Sequence, residues 1–497
     1  MAGKLFSRKS IELLQSEDHG LNRVLGWPQL ILLGIGCIVG AGVYVMTGTA
    51  AAHYAGPAVI LSFIIAAAAC AFTGLCYAEL SSTMPVSGSS YTYAYATLGE
   101  SIAWGVGWLL MLEYGLAGSA LAVGFSSYLV SFLGDFGIHV PAALSTPSIT
   151  SSLVDGFTQF TVTGGVNLVA AGALVVAAVI LSIGVSKSTL VTSLLVFVKI
   201  SILVAFVAVG WGKIDTHNWH PFIPPNEGGF AFGWPGIFRA ASVLFFAYLG
   251  FETVSTGALE TRNPQKDMPI GILGSLVICT LLYIAVAATL TGLVSYKDLG
   301  VADPIAVAVD RMNTPMFAML IKIGALTGLA SVLLVNGYGH SRICYTMSRD
   351  GLIPGIFCKL HPAFKTPAHA TAIVCLVSAV IAAFLPISVL GDMVSFGTAL
   401  AFSVVGFSLI WLRNKRPDLH RPFKVPLGGF RIGGIWIGIV PLLAIVLCLG
   451  MIVPVVIDIV AQALRGDILP AGLIGGYIVI GVLIYALYGH RNAKREG

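Results

Sequence analysis

Charged side chains are scarce in this sequence. Asp, Glu, Lys and Arg make up only 10% of its 497 residues, against about 25% in a typical soluble domain. Apolar residues make up 57%, and the mean hydropathy is +0.91. This composition excludes a soluble globular protein and indicates a chain that crosses a lipid bilayer many times. We attribute the net charge of +5 to the placement of basic residues on a membrane protein, and we expect no nucleic-acid partner.

The sequence also lacks the usual signatures of cofactors and cross-links. None of its eight cysteines forms a Cys-x-x-Cys pair, and most lie in apolar segments, where cysteine is usually a small buried residue. The apolar segments contain no His-x-x-x-His pair, and the chain has no phosphate-binding loop of the Gly-x-x-x-x-Gly-Lys-Ser/Thr type. We therefore expect no metal, no cofactor, no enzymatic chemistry and no ATP-driven pumping. We also expect no removable signal peptide.

The apolar residues are grouped into twelve segments that could cross a bilayer, which takes about 20 residues of helix. We call them spans 1 to 12, and they lie near 28–50, 57–81, 102–130, 166–184, 188–210, 236–258, 270–294, 316–341, 369–385, 389–412, 436–460 and 470–489. The sequence therefore predicts an all-α polytopic membrane protein with 12 transmembrane helices.

The basic residues between the spans predict the orientation. If the N-terminus is cytoplasmic, 20 of the 27 Lys and Arg residues fall on that side and four on the other. This bias follows the positive-inside rule. We therefore expect a protein of the cell membrane whose N-terminal segment (1–27) and C-terminal tail (490–497) are both cytoplasmic. The connection 131–165 has no Lys or Arg, and we expect it outside. The basic run 413–431 fits the same rule, and contact with anionic lipid is an alternative.

Span 1 has a glycine-rich centre. Residues 34–48 read GIGCIVGAGVYVMTG, and each glycine in a helix interior costs about 1 kcal/mol relative to alanine. In lipid, irregular backbone is tolerated only against protein or a water-filled cavity. We expect the helix to break around Gly40, Ala41 and Gly42, where free amides would attract a carboxylate and free carbonyls an ammonium. The alternative is that the glycines only allow close helix packing.

Span 6 repeats this feature. Residues 245–253 read FFAYLGFET and place a glycine and a carboxylate at mid-membrane. Span 1 enters from the cytoplasm and span 6 from outside. Two interrupted helices five spans apart and oppositely oriented are typical of an inverted repeat with the substrate between the breaks. The second interruption favours a binding site over simple packing.

Several motifs resemble those of one family. The pattern Gly-Ile-Gly-x-x-x-Gly-x-Gly in span 1 and residues 85–95 after span 2 are similar to the signature and a cytoplasmic loop motif of the amino acid–polyamine–organocation superfamily. Residues 246–252, 260–264 and 269–271 are similar to span 6 of that superfamily and the loop that follows it. Residues 348–354 and 416–423 resemble the branch that contains the cationic amino acid transporters and their bacterial relatives. They keep their order over nearly the whole chain.

The resemblance implies a five-plus-five inverted-repeat fold, also called LeuT-like, with helices 1 and 6 unwound at mid-membrane. Residues 28–210 would form the first repeat, 236–412 the second, and 436–489 two extra C-terminal helices. It also implies that the substrate is held mostly by backbone groups.

Those backbone contacts correspond to residues at the two breaks. The carboxylate would bind the amides of Ala41 and Gly42, with Gly40 and Val43 on either side. The ammonium would bind the carbonyls of Ile38, Phe246, Ala247 and Leu249, and Phe246 would cover the substrate as a gate. Many relatives have Ser or Thr where this chain has Ala41, so one hydroxyl contact is missing.

Lys199 lies deep within span 5. It is eleven residues beyond Ser188, or about 16 Å into the bilayer at 1.5 Å per residue, which is too deep for easy snorkelling. An ammonium at this depth is costly and must face the protein interior. Because burial disfavours its charged form, Lys199 is a candidate proton carrier; the alternative is a fixed brace between helices. The resemblance favours the first, because related proton-coupled members have a lysine where sodium-coupled relatives bind sodium.

Three further polar side chains lie within spans, and each has two interpretations. Glu113 would contact the substrate's ammonium or cationic side chain, or would pair with Lys199 or a Tyr hydroxyl. Glu252 would serve proton coupling, or would accept hydrogen bonds from unwound amides. Asn336 would limit the space in the pocket for the substrate's side chain, or would make a hydrogen bond between two helices. We interpret the remaining intramembrane aromatic residues as packing.

These features predict secondary active transport of cationic or small neutral L-amino acids, or both, by proton symport with alternating access. Obligate exchange without net proton flux is the main alternative. An amino acid sensor is a remote one, because the tails of about 26 and 8 residues are short for signalling segments. The expected partners are the substrate, protons and lipid; whether a small partner helix packs alongside stays open.

Overall fold

The computed structural model describes residues 8, 23–85, 89–154, 157–184 and 189–493. Most of the predicted N-terminal segment lies outside these ranges. So do residues 86–88 of the loop motif, Lys187 and the last four residues of the predicted tail.

The described chain is mostly helical. Its longer helices are α1 (Trp27–Ile38), α2 (Val59–Thr83), α3 (Ser89–Thr97), α4 (Glu100–Gly134), α5 (Leu168–Ile183), α6 (Thr189–Trp211), α7 (Gly233–Leu244), α8 (Pro264–Leu293), α9 (Pro304–Arg311), α10 (Pro315–Arg349), α11 (Ala368–Phe384), α12 (Ile387–Lys415), α13 (Ile439–Leu464) and α14 (Leu469–Ile484). Short helical segments follow several of them, at Thr47–Ala50, Ala142–Ser145, Thr253–Thr256 and His490–Asn492.

Within the described residues, eight helical stretches are long and apolar enough to cross a membrane. Four shorter apolar helices accompany them, at Trp27–Ile38, Leu168–Ile183, Val196–Trp211 and Ala368–Phe384. One of the eight, Gly42–Thr83, contains both the second half of span 1 and all of span 2. The chain turns between them at Gly56, whose φ of +58° suits glycine.

Two small hairpins lie between the helices and were not predicted. In the first, β1 (Ile149–Val154) pairs antiparallel with β2 (Phe157–Val162), within the connection expected outside. In the second, β3 (Gly429–Ile432) pairs with β4 (Ile435–Gly438). Gly433 and Gly434 join the latter pair with φ values of +57° and +82°, as a two-residue hairpin turn requires. The Gly-Gly pair between two apolar stretches of the sequence could therefore have predicted this hairpin.

A buried ion cluster fixes the first half of span 6 against spans 10 and 11. The guanidinium of Arg239 on α7, which is 0% exposed, donates to both carboxylate oxygens of Asp392 at 2.8 and 2.6 Å. It also donates to Oδ2 of Asp458 on α13, at 2.9 Å from Nη2, and lies 5.0 Å from the ring centroid of Tyr54. Breaking a buried ion pair of this kind is strongly destabilising, so the cluster holds these three helices together at this point.

Candidate functional site

The candidate site is formed by two interruptions of helical structure. In span 1, α1 ends at Ile38, Val39 and Gly40 are not helical, and a π-helical turn follows at Gly42–Met46. In span 6, α7 is followed by a 3₁₀ turn at Phe245–Tyr248 and then by a non-helical segment before Thr253–Thr256. The first amides and last carbonyls of such segments have no partner within their own helix. Both interruptions therefore offer backbone groups for binding.

The two interruptions are in direct contact. A Cβ added at Gly42 would lie 2.3 Å from the Cα of Ala247, so no side chain fits there. Gly250 has a φ of +118°, and a Cβ there would lie 2.8 Å from the carbonyl carbon of Cys37. The glycines thus permit an approach of two backbones that any other residue would prevent. The predicted site residues Ile38, Gly40, Ala41, Val43, Phe246 and Ala247 are all buried around this contact, and Leu249 is partly buried.

Tyr283 of α8 bridges the two interruptions. Its hydroxyl lies 2.8 Å from the carbonyl oxygen of Ile38 and 3.0 Å from that of Ala247. These are two of the four carbonyls predicted to receive the substrate's ammonium, and a third, that of Phe246, accepts the Leu249 amide at 3.1 Å. Sequence reasoning missed Tyr283, because a tyrosine within a span gives no sign of whether its hydroxyl packs or donates.

Lys199 of α6 reaches the interruption of span 1. The residue is 1% exposed, and its ammonium donates to the carbonyls of Gly36 at 2.5 Å and Val39 at 3.0 Å. Among the described residues, no carboxylate forms an ion pair with it. The ammonium therefore interacts with the free carbonyl end of α1, where the helix dipole is negative.

The two glutamates lie on the elements next to the interruptions. Glu113 of α4 is fully buried, and neither of its carboxyl oxygens has a hydrogen-bond partner among the described residues. Glu252 is also buried, and its Oε2 accepts the Gly250 amide at 2.9 Å. The bond made by Glu252 is the type expected for a carboxylate that organises unwound backbone. Glu113 is paired with neither Lys199 nor a tyrosine hydroxyl within the described part of the chain.

Asn336 of α10 bonds to a neighbouring helix. Its Nδ2 donates to the carbonyl of Tyr114 on α4 at 2.7 Å, and a Cβ at Gly118 would lie 3.0 Å from that nitrogen. One turn earlier on the same helix, Val332 faces Gly40, where a Cβ would lie 3.2 Å from its side chain. The Asn336 amide thus makes a hydrogen bond between α10 and α4. The same helix, α10, also packs against the interruption of span 1.

Comparison with known proteins is consistent with this architecture. The family model described as amino acid permease matches residues 25–483. The chain belongs to the amino acid permease family. This confirms the resemblance to the amino acid–polyamine–organocation superfamily, and it makes the protein a multi-pass membrane transporter rather than an enzyme.

Three relatives show the range of substrates named within this permease family. The chain is 41% identical to the methylthioribose transporter of Bacillus subtilis (strain 168) over 492 residues, with 98% of each chain covered. It is 40% identical to the branched-chain amino acid permease BcaP of the same organism, with 99% of each covered. It is 36% identical to the vacuolar cationic amino acid transporter 4 of Arabidopsis thaliana, over 82% of this chain and 66% of the relative.

Proposed function

We propose that this permease moves L-amino acids, cationic or small neutral or both, across the cell membrane by proton symport with alternating access. The observation that carries the proposal is the Lys199 ammonium, buried against the carbonyls of Gly36 and Val39 at the interruption of span 1. A positive charge held there stabilises the broken end of α1. Loss of its proton would weaken both bonds and free that end to move, which is the coupling that a proton-driven transporter needs.

The proposed fold is the LeuT-like inverted repeat of twelve spans, with residues 28–210 and 236–412 as its two halves. The eight long apolar stretches and four shorter helices supply the required segments. The interruptions of spans 1 and 6, which contact each other at Gly42 and Ala247, support a binding site between the halves.

The proposed substrate site uses the backbone of both interruptions. The amides of Ala41 and Gly42, next to Gly40 and Val43, would bind the carboxylate. The carbonyls of Ile38, Phe246, Ala247 and Leu249 would bind the ammonium. At Ile38 and Ala247 the ammonium would replace the Tyr283 hydroxyl.

Four side chains complete the proposed site. Glu113 and Asn336 would line the part of the pocket that holds the substrate's side chain. Lys199 and Glu252 would bind and release the transported proton.

The side-chain preference has two candidates. Buried Glu113, with no partner among the described residues, favours a cationic substrate, because an uncompensated carboxylate is stabilised by a positive charge. The full-length similarity to a branched-chain permease favours a neutral apolar one. Obligate exchange, with no net proton flux, is the alternative mechanism.

The test is uptake into proteoliposomes with and without an inward proton gradient. We would compare labelled arginine, lysine, alanine, serine and leucine, using the wild type and Lys199→Ala. We expect gradient-driven accumulation of at least one substrate, reduced tenfold or more in the variant, which is about 1.4 kcal/mol of coupling. The ranking of substrates decides between the cationic and neutral candidates.

Lys213→Ala is the matched control, because the Lys213 ammonium also donates to a backbone carbonyl, that of Met312, but in a connection away from the interruptions. It should keep gradient-driven uptake. Uptake that ignores the gradient and rises only with internal amino acid would show exchange, and Lys199 would then be a brace.

A further inference from the structure

The β3–β4 hairpin carries an exposed apolar face. In its register Phe430 lies opposite Ile437, and Ile432 lies opposite Ile435. Because side chains alternate between the two faces along a strand and opposite residues share a face, all four lie on the same side. Phe430 is 42% exposed, Ile432 61% and Ile435 56%. Large apolar side chains grouped and exposed in this way indicate an interaction surface.

The other face fixes the hairpin to the end of α12. The indole of Trp436 covers Gly429, where a Cβ would lie 2.7 Å from the indole nitrogen. The guanidinium of Arg413 lies 4.3 Å from the centroid of the Trp436 ring. The side chain of Asn414 accepts from the Trp436 amide at 2.7 Å and donates to its carbonyl at 2.9 Å. The hairpin is therefore held to the protein through one face, and its apolar side chains lie on the opposite one.

The hairpin lies between the ends of two predicted spans. The helix α12 ends at Lys415, and β4 ends at Gly438, directly before α13 begins at Ile439. Both helices are long and apolar enough to cross a membrane. Exposed apolar side chains continue along α13, where Val446 is 55% exposed. The hairpin is thus continuous with a surface that faces lipid, and the tryptophan on its other face is typical of the headgroup level.

The surrounding segment has an excess of positive charge. Residues 413–438 contain six Lys or Arg residues and one acidic residue, Asp418. Three of the six basic residues lie against carboxylates of the protein. The other three are exposed and form no ion pair among the described residues: Lys415, Lys424 and Arg431. Their charge is therefore available to an anionic surface.

We propose that the β3–β4 hairpin is an interfacial anchor of this permease. Its apolar face inserts between the lipids of the adjoining leaflet, and Lys415, Lys424 and Arg431 bind the phosphates of anionic phospholipids. Insertion removes the apolar face from water, and an apolar face combined with basic residues is how surface-lying elements bind anionic membranes. The sequence showed only the basic run, and the structure adds the apolar face. The anchor does not depend on the substrate or on proton coupling.

Insertion is tested with a fluorophore on the full-length protein in vesicles of phosphatidylglycerol and phosphatidylcholine. In the Cys358→Ser background the other seven cysteines are buried, so an environment-sensitive thiol reagent can be attached at Ile432→Cys. Lys359→Cys, at an exposed position between α10 and α11, carries the control label. We expect the label at position 432 to emit at shorter wavelength and to lose intensity when the lipid acyl chains are brominated. The control label should show neither change.

The contribution of charge is tested with Lys424→Gln/Arg431→Gln. We expect phosphatidylglycerol to raise the apparent melting temperature of the detergent-purified wild type more than phosphatidylcholine does, and we expect the double variant to lose most of this difference. Lys359→Gln/Lys365→Gln is the matched control, because it removes the same charge from exposed positions in another connection. It should keep the preference for phosphatidylglycerol.

Three results would overturn the anchor. Quenching of both labels by aqueous iodide to the same extent would place the hairpin in water. A label at position 432 that is shielded from iodide and also unaffected by brominated lipid would show that a protein, either a partner or a second copy, covers the apolar face. An equal gain from phosphatidylglycerol in the wild type and in the hairpin double variant would show that these basic residues do not bind the headgroups.

Discussion

At the scale of the residue, Tyr283 links the candidate site to the scaffold. Its hydroxyl lies within hydrogen-bond distance of the carbonyls of Ile38 and Ala247, one on each interruption. A buried carbonyl that loses its donor costs about 1–3 kcal/mol. The same carbonyls are those proposed to receive the substrate's ammonium, so the hydroxyl and the ammonium offer donors to the same oxygens.

We therefore expect Tyr283→Phe to lower the apparent melting temperature of the substrate-free protein and to increase the stabilisation gained on adding substrate. Thermal-shift measurements with and without amino acid check both effects. Tyr248→Phe is the control, because it removes a buried hydroxyl that donates to the carbonyl of Phe63 at 3.1 Å and to none of the four carbonyls predicted to bind the ammonium. An equal response of the two variants to substrate would contradict the assignment.

Asp303, in the connection before α9, should make stability depend on pH. Burial raises the pKa of its carboxyl to about 6, and the Lys322 ammonium partly opposes this; the ordinary value is about 3.9. Between about pH 4 and pH 6 the folded protein binds more protons than the unfolded chain, so the free energy of unfolding falls as the pH rises through this range. Above about pH 6 the whole of this loss of stability persists.

Asp303→Asn should therefore raise the apparent melting temperature at neutral pH, with an advantage that shrinks as the pH falls toward about 4. Asp298→Asn, which removes an exposed carboxylate from the same connection, is the control substitution. An advantage of Asp303→Asn that stays constant with pH would count against this account.

At the scale of the element, the contact between the two interruptions depends on glycine. Ala at position 42 would put its Cβ 2.3 Å from the backbone of Ala247, which cannot move without shifting the 3₁₀ turn that carries it. Overpacking of a rigid contact typically costs about 1–3 kcal/mol. The substitution should separate the two segments that the substrate must join.

We expect Gly42→Ala to reduce substrate affinity by tenfold or more, or to prevent stable folding. Binding measured by thermal shift, together with the yield of monodisperse protein, distinguishes the two. Gly105→Ala is the matched control, since no atom lies within 4 Å of a Cβ there and alanine is the better helix residue. Normal binding by Gly42→Ala would show that the close approach is not needed.

At the scale of the whole molecule, one native cysteine can report the orientation. Cys358 is partly exposed and the other seven cysteines are buried. It lies in the connection between α10 and α11, for which the distribution of basic residues predicts a cytoplasmic location. A thiol reagent that cannot cross the membrane should therefore reach it from one side only.

We expect such a reagent to label the wild type in inside-out vesicles and not in intact cells. Cys358→Ser should abolish the labelling. Thr163→Cys in the Cys358→Ser background, at an exposed position after β2, should reverse the pattern. Labelling of Cys358 from outside the cell would overturn the predicted orientation, and with it the proposed cytoplasmic termini.

The sequence by itself determined the class of protein and the position of its irregular backbone. Low charge, long apolar segments and glycines within two of them are local properties, and each has a local energetic reason. The order of the motifs likewise identified the family, since 25–483 match its model. Lys199 could be singled out because an ammonium in an apolar segment is costly wherever the chain places it.

Only the tertiary structure decided which groups meet. Tyr283 and Ile38 are 245 residues apart in sequence, and nothing near either residue indicates the bond between them. The same holds for the contact of Gly42 with Ala247 and for the bonds of the Lys199 ammonium to the carbonyls of Gly36 and Val39. Hydropathy and helix propensity depend on neighbours along the chain, whereas hydrogen bonds and charge interactions depend on distances that packing sets. The sequence could therefore name the ammonium and the glycines, but only the fold shows which backbone groups they contact.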